Sequence, residues 1–326
     1  MRWTRRPTPD RFEDWSRDQL VRAYDDIDRD DGAAPDAGQR AERADAIATE
    51  LLRRDPDVHS LWFDRALLAK WRRDWPAAQE LGTRALELVA PEDREQEPTA
   101  WNLGIAATAR RDWAAARAAW TAFGISVSGA GAEPIAGDMG TVPVRLNPPP
   151  RFVGRREVEV DGRAWESEVV WGVRLDPARV QLVSVPLPTS GHRYGDVVLH
   201  DGDVHGTREV DGEEHPVFEE IELWERSPRP TLSVALTATD EDVEELVSAL
   251  DDAGLAAEDW TGSVRVLCAA CSEGAAGAHD HPVDGSTGTG RTIGLSGDPD
   301  DAAAVLAAWC RRGAGRQHGE LTVELE

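Results

Sequence analysis

The sequence predicts a multidomain α + β protein with helical hairpins in its first third, a small antiparallel β barrel or curled sheet in the middle, and a layered α+β domain at the end. Three observations lead to this fold class. A tryptophan-containing repeat lies in the first third, short alternating runs separated by turn residues follow it, and a strand-helix-strand order then occurs twice. A chain of 326 residues is also long enough for two or three separate cores.

Two segments of the first third share the same residues at the same spacing. Arg-Asp-Trp occurs at 73–75 and again at 111–113, and an alanine follows each tryptophan by three residues, at Ala78 and Ala116. Repeats of this length indicate stacked structural units. Small residues at these positions and at Gly104 let antiparallel helices approach closely, while the two tryptophans fill the space between hairpins. The segment therefore predicts consecutive helical hairpins.

With an early tryptophan, Trp62, and a Leu-Gly pair at 103–104, this pattern resembles the tetratricopeptide repeat (TPR) family over residues 15–125. It departs from the family pattern at 65–66, where Arg-Ala replaces the usual Leu-Gly. A more degenerate hairpin is expected before the two clear copies, with helices at 19–27 and 40–54. We assign residues 1–128 to a TPR-like domain.

The resemblance implies a groove that is lined by the first helix of each hairpin and binds an extended peptide or helix of a partner protein. Carried over by position, the residues of this groove are Phe63, Leu67, Lys70, Trp71, Trp101, Ile105 and Thr108. They are mostly apolar with one cation, so a charged clamp for a carboxylate terminus is not expected. Trp71 lies near a hairpin tip and has two interpretations, packing at the rim or a place on the binding surface.

The middle of the chain changes to a β pattern. Residues 129–150 are rich in Gly, Pro and Ala and predict a linker with one short strand at 141–146. Residues 151–229 predict a small all-β domain, because short β-branched runs alternate with Asp-Gly and similar turns. The expected strands of that domain are 155–160, 167–175, 180–186, 196–200 and 217–223.

Residues 230–326 contain two β-α-β units. The first has a strand at 231–237, a helix that Thr239 caps and that runs to Asp252, and a strand at 263–267. The second has a strand at 292–296, a helix at 298–312 and a strand at 320–326. Two such units in succession predict a ferredoxin-like domain, with two helices on a four-stranded sheet.

A Cys-x-x-Cys pair followed by His-x-His is the sharpest local motif. Cys268, Cys271, His279 and His281 supply two thiolates and two imidazoles, which together suit tetrahedral zinc with no open position, that is, a structural site. The alternatives are a buried strand end beside an acidic loop, or a redox-active cysteine pair, although the latter normally opens a helix. We favour structural zinc.

A second group of titratable residues lies in the β domain. His192, Asp196, His200, Asp201, Asp203 and His205 could hold a catalytic metal or supply a general base. Ordinary hairpin turns also place His and Asp beside one another, and no nucleophile elbow, phosphate loop or zinc-protease motif accompanies the group. The structural interpretation is favoured, and the group remains the basis of an enzyme or sensor hypothesis.

Charge and hydropathy limit the partners. The net charge is -25, and the first 128 residues contain 20 basic and 24 acidic side chains against 16 and 37 in the remainder. Such a surface repels phosphate backbones, so no nucleic-acid partner is expected. No apolar run suits a membrane span or a secretory signal, so we expect a cytoplasmic protein.

The functional expectation follows from the repeats. We predict a non-enzymatic adaptor or scaffold that binds a protein partner through the TPR-like groove and has a structural zinc site in its last domain. The alternative is an enzyme or a small-molecule or metal sensor that uses the His/Asp group, with the helices in a recruiting or regulatory role.

Overall fold

The computed structural model describes residues 11–27, 32–210, 212–261 and 290–326. Its contacts divide the chain into two compact units. The first, the helical unit, contains the described residues up to 126 together with 130–133 and 150–156. The second, the β-rich unit, contains the remaining described residues.

The helical unit consists of antiparallel helices joined by short turns. Its α-helices are α1 (Arg17–Asp25), α2 (Ala37–Arg54), α3 (His59–Trp71), α4 (Trp75–Glu87), α5 (Pro98–Ala109) and α6 (Trp113–Phe123). Two short 3-10 helices, Phe12–Asp14 and Pro91–Asp93, complete it. From α3 to α6, each helix packs against the next one in the chain. Among the described residues of the chain, no helix is long and apolar enough to cross a membrane.

The sequence repeat is also a repeat of turn geometry. The arginine of each Arg-Asp-Trp motif has a left-handed backbone, with φ of 57° at Arg73 and 60° at Arg111. The aspartates that follow, Asp74 and Asp112, each accept the backbone N–H three residues later at 3.2 Å and so cap α4 and α6. One turn design therefore reverses the chain in both hairpins.

Close helix packing explains the glycine of the second hairpin. Trp120 of α6 is fully buried, and its ring covers Gly104 of α5. A Cβ atom at position 104 would lie 2.6 Å from the ring, which is shorter than any normal contact. Ala78 and Ala116 are buried as well, as expected for small residues where helices approach closely.

The middle of the chain forms a closed five-stranded barrel with the strand order β1-β4-β5-β6-β9. Neighbouring strands are antiparallel except that β9 closes the barrel by pairing in parallel with β1. Two small hairpins, β2-β3 and β7-β8, are separate from it. The strands are β1 (Thr141–Leu146), β2 (Glu159–Val160), β3 (Arg163–Ala164), β4 (Glu168–Arg174), β5 (Arg179–Leu182), β6 (Val197–His200), β7 (Thr207–Val210), β8 (Glu213–Pro216) and β9 (Phe218–Glu225).

Two boundaries differ from the sequence-based ones. The interval 129–150, expected to be a linker, contributes β1, which pairs with β4 and β9 and is an integral wall of the barrel. Residues 151–156, the start of the expected all-β domain, instead belong to the helical unit, where Val153 is 3% exposed within the helical core. Burial of this apolar side chain explains why the segment packs there.

The end of the chain is a layered α+β region. It contains β10 (Thr231–Thr237), α7 (Asp240–Asp252), β11 (Ala256–Asp259), β12 (Gly290–Ser296), α8 (Pro299–Arg312), β13 (Gln317–His318) and β14 (Thr322–Leu325). The sheet order is β11-β12-β10-β13, with β14 also paired to β10, and all neighbours are antiparallel. The strand expected at 263–267 lies outside the described residues, and β11 was not expected.

Candidate protein-interaction site

The seven residues predicted to line a groove on α3 and α5 differ in exposure. Three of them are half-buried, namely Phe63, Leu67 and Trp101. The other four are buried: Lys70, Trp71, Ile105 and Thr108. The surface that a partner could reach is therefore smaller than the sequence suggested and consists of apolar side chains. We refer to Phe63, Leu67 and Trp101 as the apolar triad.

The apolar triad rests on a polar and aromatic base. The Phe63 ring stacks on His59, with centroids 6.1 Å apart, and His59 Nε2 lies 2.9 Å from Thr99 Oγ1 on α5. Trp101 meets Trp120 edge to face at 5.2 Å. Its own Nε1–H is buried and has no hydrogen-bond partner within the described part of the chain. These contacts hold the Phe63 and Trp101 side chains, two of the three members of the triad, in place.

Lys70 is not the groove cation that the sequence suggested. It is 3% exposed, and its Nζ donates a hydrogen bond to Asn102 Oδ1 at 2.6 Å. The same ammonium lies 4.1 Å from the centre of the Trp71 ring, a favourable cation–π distance. Lys70 therefore joins α3 to α5 from the inside, because Asn102 lies opposite it on the neighbouring helix.

Trp71 packs at the rim of the helical unit, which decides between its two interpretations in this structure. It is 7% exposed and stacks on Phe152, with centroids 5.3 Å apart and an interplanar angle of 18°. Arg155 lies 5.0 Å above the ring, and the Arg156 N–H donates to the Trp71 carbonyl at 3.1 Å. The sequence analysis did not predict that Phe152 covers Trp71. The available signal was the apolar pair Phe-Val at 152–153, which lies shortly after a proline triplet in an otherwise basic segment.

A second concave surface of the helical unit was not expected. It is a groove of about 680 Å³ along α4, and its lining includes Trp62, Gln79, Arg84, Glu87 and Arg110. Both arginines have a partner within the groove, since Arg84 meets Glu87 at 2.9 Å and Arg110 donates to Gln79 at 2.7 Å. This groove is lined mostly by polar and charged side chains, in contrast to the apolar triad.

The His/Asp group of the barrel is divided among separate contacts. His192 Nε2 lies 2.8 Å from Glu220 Oε1, and both side chains are fully buried. Asp196 instead accepts from Arg226 at 2.7 Å, and burial is the main reason that its pKa is raised. Asp201 accepts the N–H of its neighbour Gly202, and Asp203 is exposed. His205 Nε2 lies 3.9 Å from Glu219.

His200 is fully buried at the end of β6. Its Nδ1 lies 2.7 Å from the Asp201 carbonyl oxygen, so Nδ1 carries the proton and Nε2 is the unprotonated nitrogen. Nε2 has no hydrogen-bond partner among the residues that the structure describes. Burial, and then the charge of Arg174, lower the pKa of His200 to about 4. The imidazole is therefore neutral near pH 7.

This lowered pKa predicts a pH-dependent stability. A histidine whose pKa is 6.5 unfolded and about 4 folded contributes stability above pH 6.5, and the contribution is lost as the pH falls toward 4. The full effect is about 3 kcal/mol. Between pH 7 and 4.5, the free energy of unfolding of the wild type should fall more steeply than that of His200→Asn, which keeps a donor near Nδ1. Urea denaturation at several pH values measures both slopes, and equal slopes would contradict the prediction.

Within the described ranges, no group of three or more His, Cys, Asp or Glu side chains is arranged to hold a metal ion. The four expected zinc ligands, Cys268, Cys271, His279 and His281, lie outside those ranges. The zinc site therefore stays a prediction.

Comparisons with known proteins leave the function open. The sequence matches no protein-family model and no curated protein. Among solved structures, a hypothetical protein from Neisseria gonorrhoeae is similar over 57% of this chain and 96% of its own, at 9% identity and a TM-score of 0.22. Similarity at that level carries no argument about fold or function. The functional argument rests on the geometry of the chain itself.

Proposed function

We propose that the protein is a non-enzymatic adaptor or scaffold whose TPR-like hairpins bind a peptide or helix of a partner protein. The observation that supports this most is the repeated turn: two hairpins reverse with the same left-handed arginine and the same capping aspartate. A repeat that fixes equal hairpin geometry produces a regular stack, and stacks of this kind present extended binding surfaces.

The apolar triad is the proposed recognition surface. Phe63 and Leu67 project from α3 and Trp101 from α5, the first helices of the two hairpins, and all three are half-buried. Rigid, partly exposed aromatic groups are typical anchors of protein interfaces. The buried members of the predicted set act as support: Lys70, for example, joins the two helices beneath this surface.

The region after residue 230 fits a ferredoxin-like domain, and we propose that assignment. Its support is the strand order β11-β12-β10-β13, with α7 and α8 in the two β-α-β connections. We also keep structural zinc on the Cys-x-x-Cys and His-x-His motifs as part of the proposal, on the strength of the ligand chemistry alone.

Quantitative affinity capture from lysate of the native organism tests the adaptor proposal. We expect the full chain to retain a specific partner and Phe63→Ala/Leu67→Ala to lose most of it, because the two truncations remove exposed apolar anchors. Leu81→Ala is the matched control, since Leu81 is also half-buried but lines the α4 groove.

The outcome separates the candidate surfaces. Loss of the partner in the control alone would move the site to the α4 groove, and equal capture by all three proteins would contradict recognition by either surface. Circular dichroism of each variant shows whether the helices remain folded. Absence of any specific partner would shift weight to the enzyme or sensor hypothesis.

A further inference from the structure

The cover on Trp71 is a segment of the chain itself, residues 150–156, which we call the strap. The residues on both sides of it along the chain, 134–149 and those from 157 onward, belong to the β-rich unit, whereas the strap belongs to the helical unit. Every contact described below lies within the helical unit. The helical unit therefore binds a short segment whose flanking residues are not part of it.

Two apolar side chains anchor the strap. The Phe152 ring stacks on Trp71 at the end of α3, with centroids 5.3 Å apart. Val153 is 3% exposed and belongs to the same apolar cluster as Leu68 of α3 and Ala41 of α2. An aromatic side chain on an aromatic surface and a β-branched side chain in an apolar site are contacts that a bound peptide would make.

The main chain of the strap is bound as well. The Arg156 N–H donates to the carbonyl of Trp71 at 3.1 Å, and the Arg156 carbonyl accepts from Arg73 Nη2 at 3.1 Å. Trp71 is the last residue of α3, so its carbonyl has no partner inside the helix. At the other end of the strap, the Gly32 N–H donates to the Arg151 carbonyl at 3.2 Å. Peptide-binding sites combine main-chain hydrogen bonds with side-chain sites in the same way.

The strap, all of which the structure describes, contains neither helix nor strand. A turn within it joins the Arg155 N–H to the Phe152 carbonyl at 3.0 Å, and Gly154 provides the left-handed φ of 86° in that turn. Phe152 is half-buried and Arg156 is exposed. Segments of this kind open locally at a lower free energy than the helices on which they pack.

We propose that the strap occupies a peptide-binding site on α2 and α3, and that a partner segment of the same chemistry replaces it. The inference rests on the proposed adaptor function and specifies the partner: a turn in which an aromatic and a β-branched residue precede a glycine and a basic residue. A tethered occupant is present at an effective concentration of about a millimolar. The strap therefore inhibits binding until a partner displaces it.

Fluorescence polarisation with the full chain and a labelled octapeptide that has the sequence of residues 150–157 tests the proposal. We expect Gly32→Ala to bind this peptide at least about tenfold tighter than the wild type, because the variant displaces the strap and leaves the site open. A Cβ atom at position 32 would lie 2.5 Å from the Phe152 nitrogen. Gly38→Ala is the matched control, since a Cβ atom at position 38 has nothing within 4 Å, and it should bind as the wild type does.

A second variant displaces the strap by a different route. Gly154→Val puts a β-branched residue at a φ of 86°, which strains the seated strap, and it should also bind the peptide at least about tenfold tighter. Adding Trp71→Ala to Gly32→Ala should return binding to the wild-type level, because the ring on which the phenylalanine stacks is lost. A scrambled peptide of the same composition measures the unspecific attraction of a basic peptide to a protein of net charge -25.

The wild type provides a measurement that needs no substitution. A large excess of the peptide should speed hydrogen exchange of the Arg156 amide, because a displaced strap loses its bond to Trp71. An unchanged exchange rate would overturn the proposal. So would wild-type affinity in both Gly32→Ala and Gly154→Val with helical circular dichroism intact, a gain in Gly38→Ala as large as in Gly32→Ala, or equal binding of the scrambled peptide.

These results do not depend on capture of a partner from lysate. Peptide binding to the opened variants would establish the site even if Phe63→Ala/Leu67→Ala retained everything that the wild type retains. Conversely, a partner that the apolar triad captures would leave the strap proposal overturned if the opened variants bound the peptide no better than the wild type.

Discussion

Replacing Glu220 with alanine is expected to lower the free energy of unfolding of the β-rich unit by about 3–5 kcal/mol, because it leaves a buried charge without its partner. Glu220 uses both carboxylate oxygens: Oε1 faces His192 Nε2 at 2.8 Å, and Oε2 accepts the Asn147 N–H at 2.9 Å. The other His192 nitrogen, Nδ1, lies 3.0 Å from the Ser190 carbonyl oxygen. Both ring nitrogens thus face acceptors, an arrangement that the doubly protonated imidazolium satisfies.

The same pair has a defined pH dependence. Burial on its own would lower the pKa of His192, but the charge and hydrogen bond of Glu220 outweigh it, so that the pKa is raised. A raised histidine pKa contributes stability that is complete below the unfolded value of 6.5 and is lost as the pH rises through the folded value. The difference between wild type and Glu220→Gln should therefore be larger at pH 6 than at pH 9.

Urea denaturation at both pH values measures these differences. Glu209→Gln, an exposed glutamate of the β7-β8 hairpin, is the matched control and should change stability by less than about 0.5 kcal/mol. A loss under about 1 kcal/mol in Glu220→Ala, or a pH-independent difference for Glu220→Gln, would show that the pair is not a buried ion pair.

Sequence reasoning found the barrel but not this pair. Alternation and turn residues located β1, β4, β5, β6 and β9, because half-buried strands impose a period of two. The partner of His192 lies 28 residues away. It is fixed by the closure of the barrel, which brings β9 beside β6 and β1, and no local pattern encodes that closure. The available signal was two adjacent glutamates at 219–220, because strict alternation in a half-buried strand would place one of them on the buried face.

The helical unit shows the same limit. The Arg-Asp-Trp repeat predicted both hairpins, because a turn depends on a few neighbouring residues. The cover over Trp71 comes from Phe152, 81 residues further along the chain, so the exposure of Trp71 could not be judged locally. Likewise, β11 has the sequence Ala-Ala-Glu-Asp, with little intrinsic β preference, and forms through its pairing with β12. The burial of Trp71 and the formation of β11 both depend on tertiary contacts, which a local sequence pattern does not encode.

The second large effect is that Gly→Ala substitutions in two neighbouring helices, α4 and α5, should change the free energy of unfolding in opposite directions. Alanine is a better helix former than glycine by about 1 kcal/mol, so Gly82→Ala in α4 should stabilise the protein by about 0.5–1 kcal/mol. Its new Cβ would have Leu103 Cβ and Cδ1 as nearest neighbours, each at 3.6 Å, an ordinary contact. In α5, Gly104→Ala would place its Cβ 2.6 Å from Cη2 of Trp120. The clash should outweigh the helix preference and destabilise by about 1–3 kcal/mol.

Trp120 cannot easily yield, because it is fully buried and packs edge to face on Trp101 at 5.2 Å. Thermal and urea denaturation of the two variants should therefore give shifts of opposite sign. Trp120→Phe should lower the free energy of unfolding less in the Gly104→Ala background than in the wild type. In the wild type the smaller ring leaves a cavity, whereas beside Ala at position 104 it makes room for the added methyl group. A stabilising Gly104→Ala would mean that α5 and α6 do not approach as closely as the hairpin repeat requires.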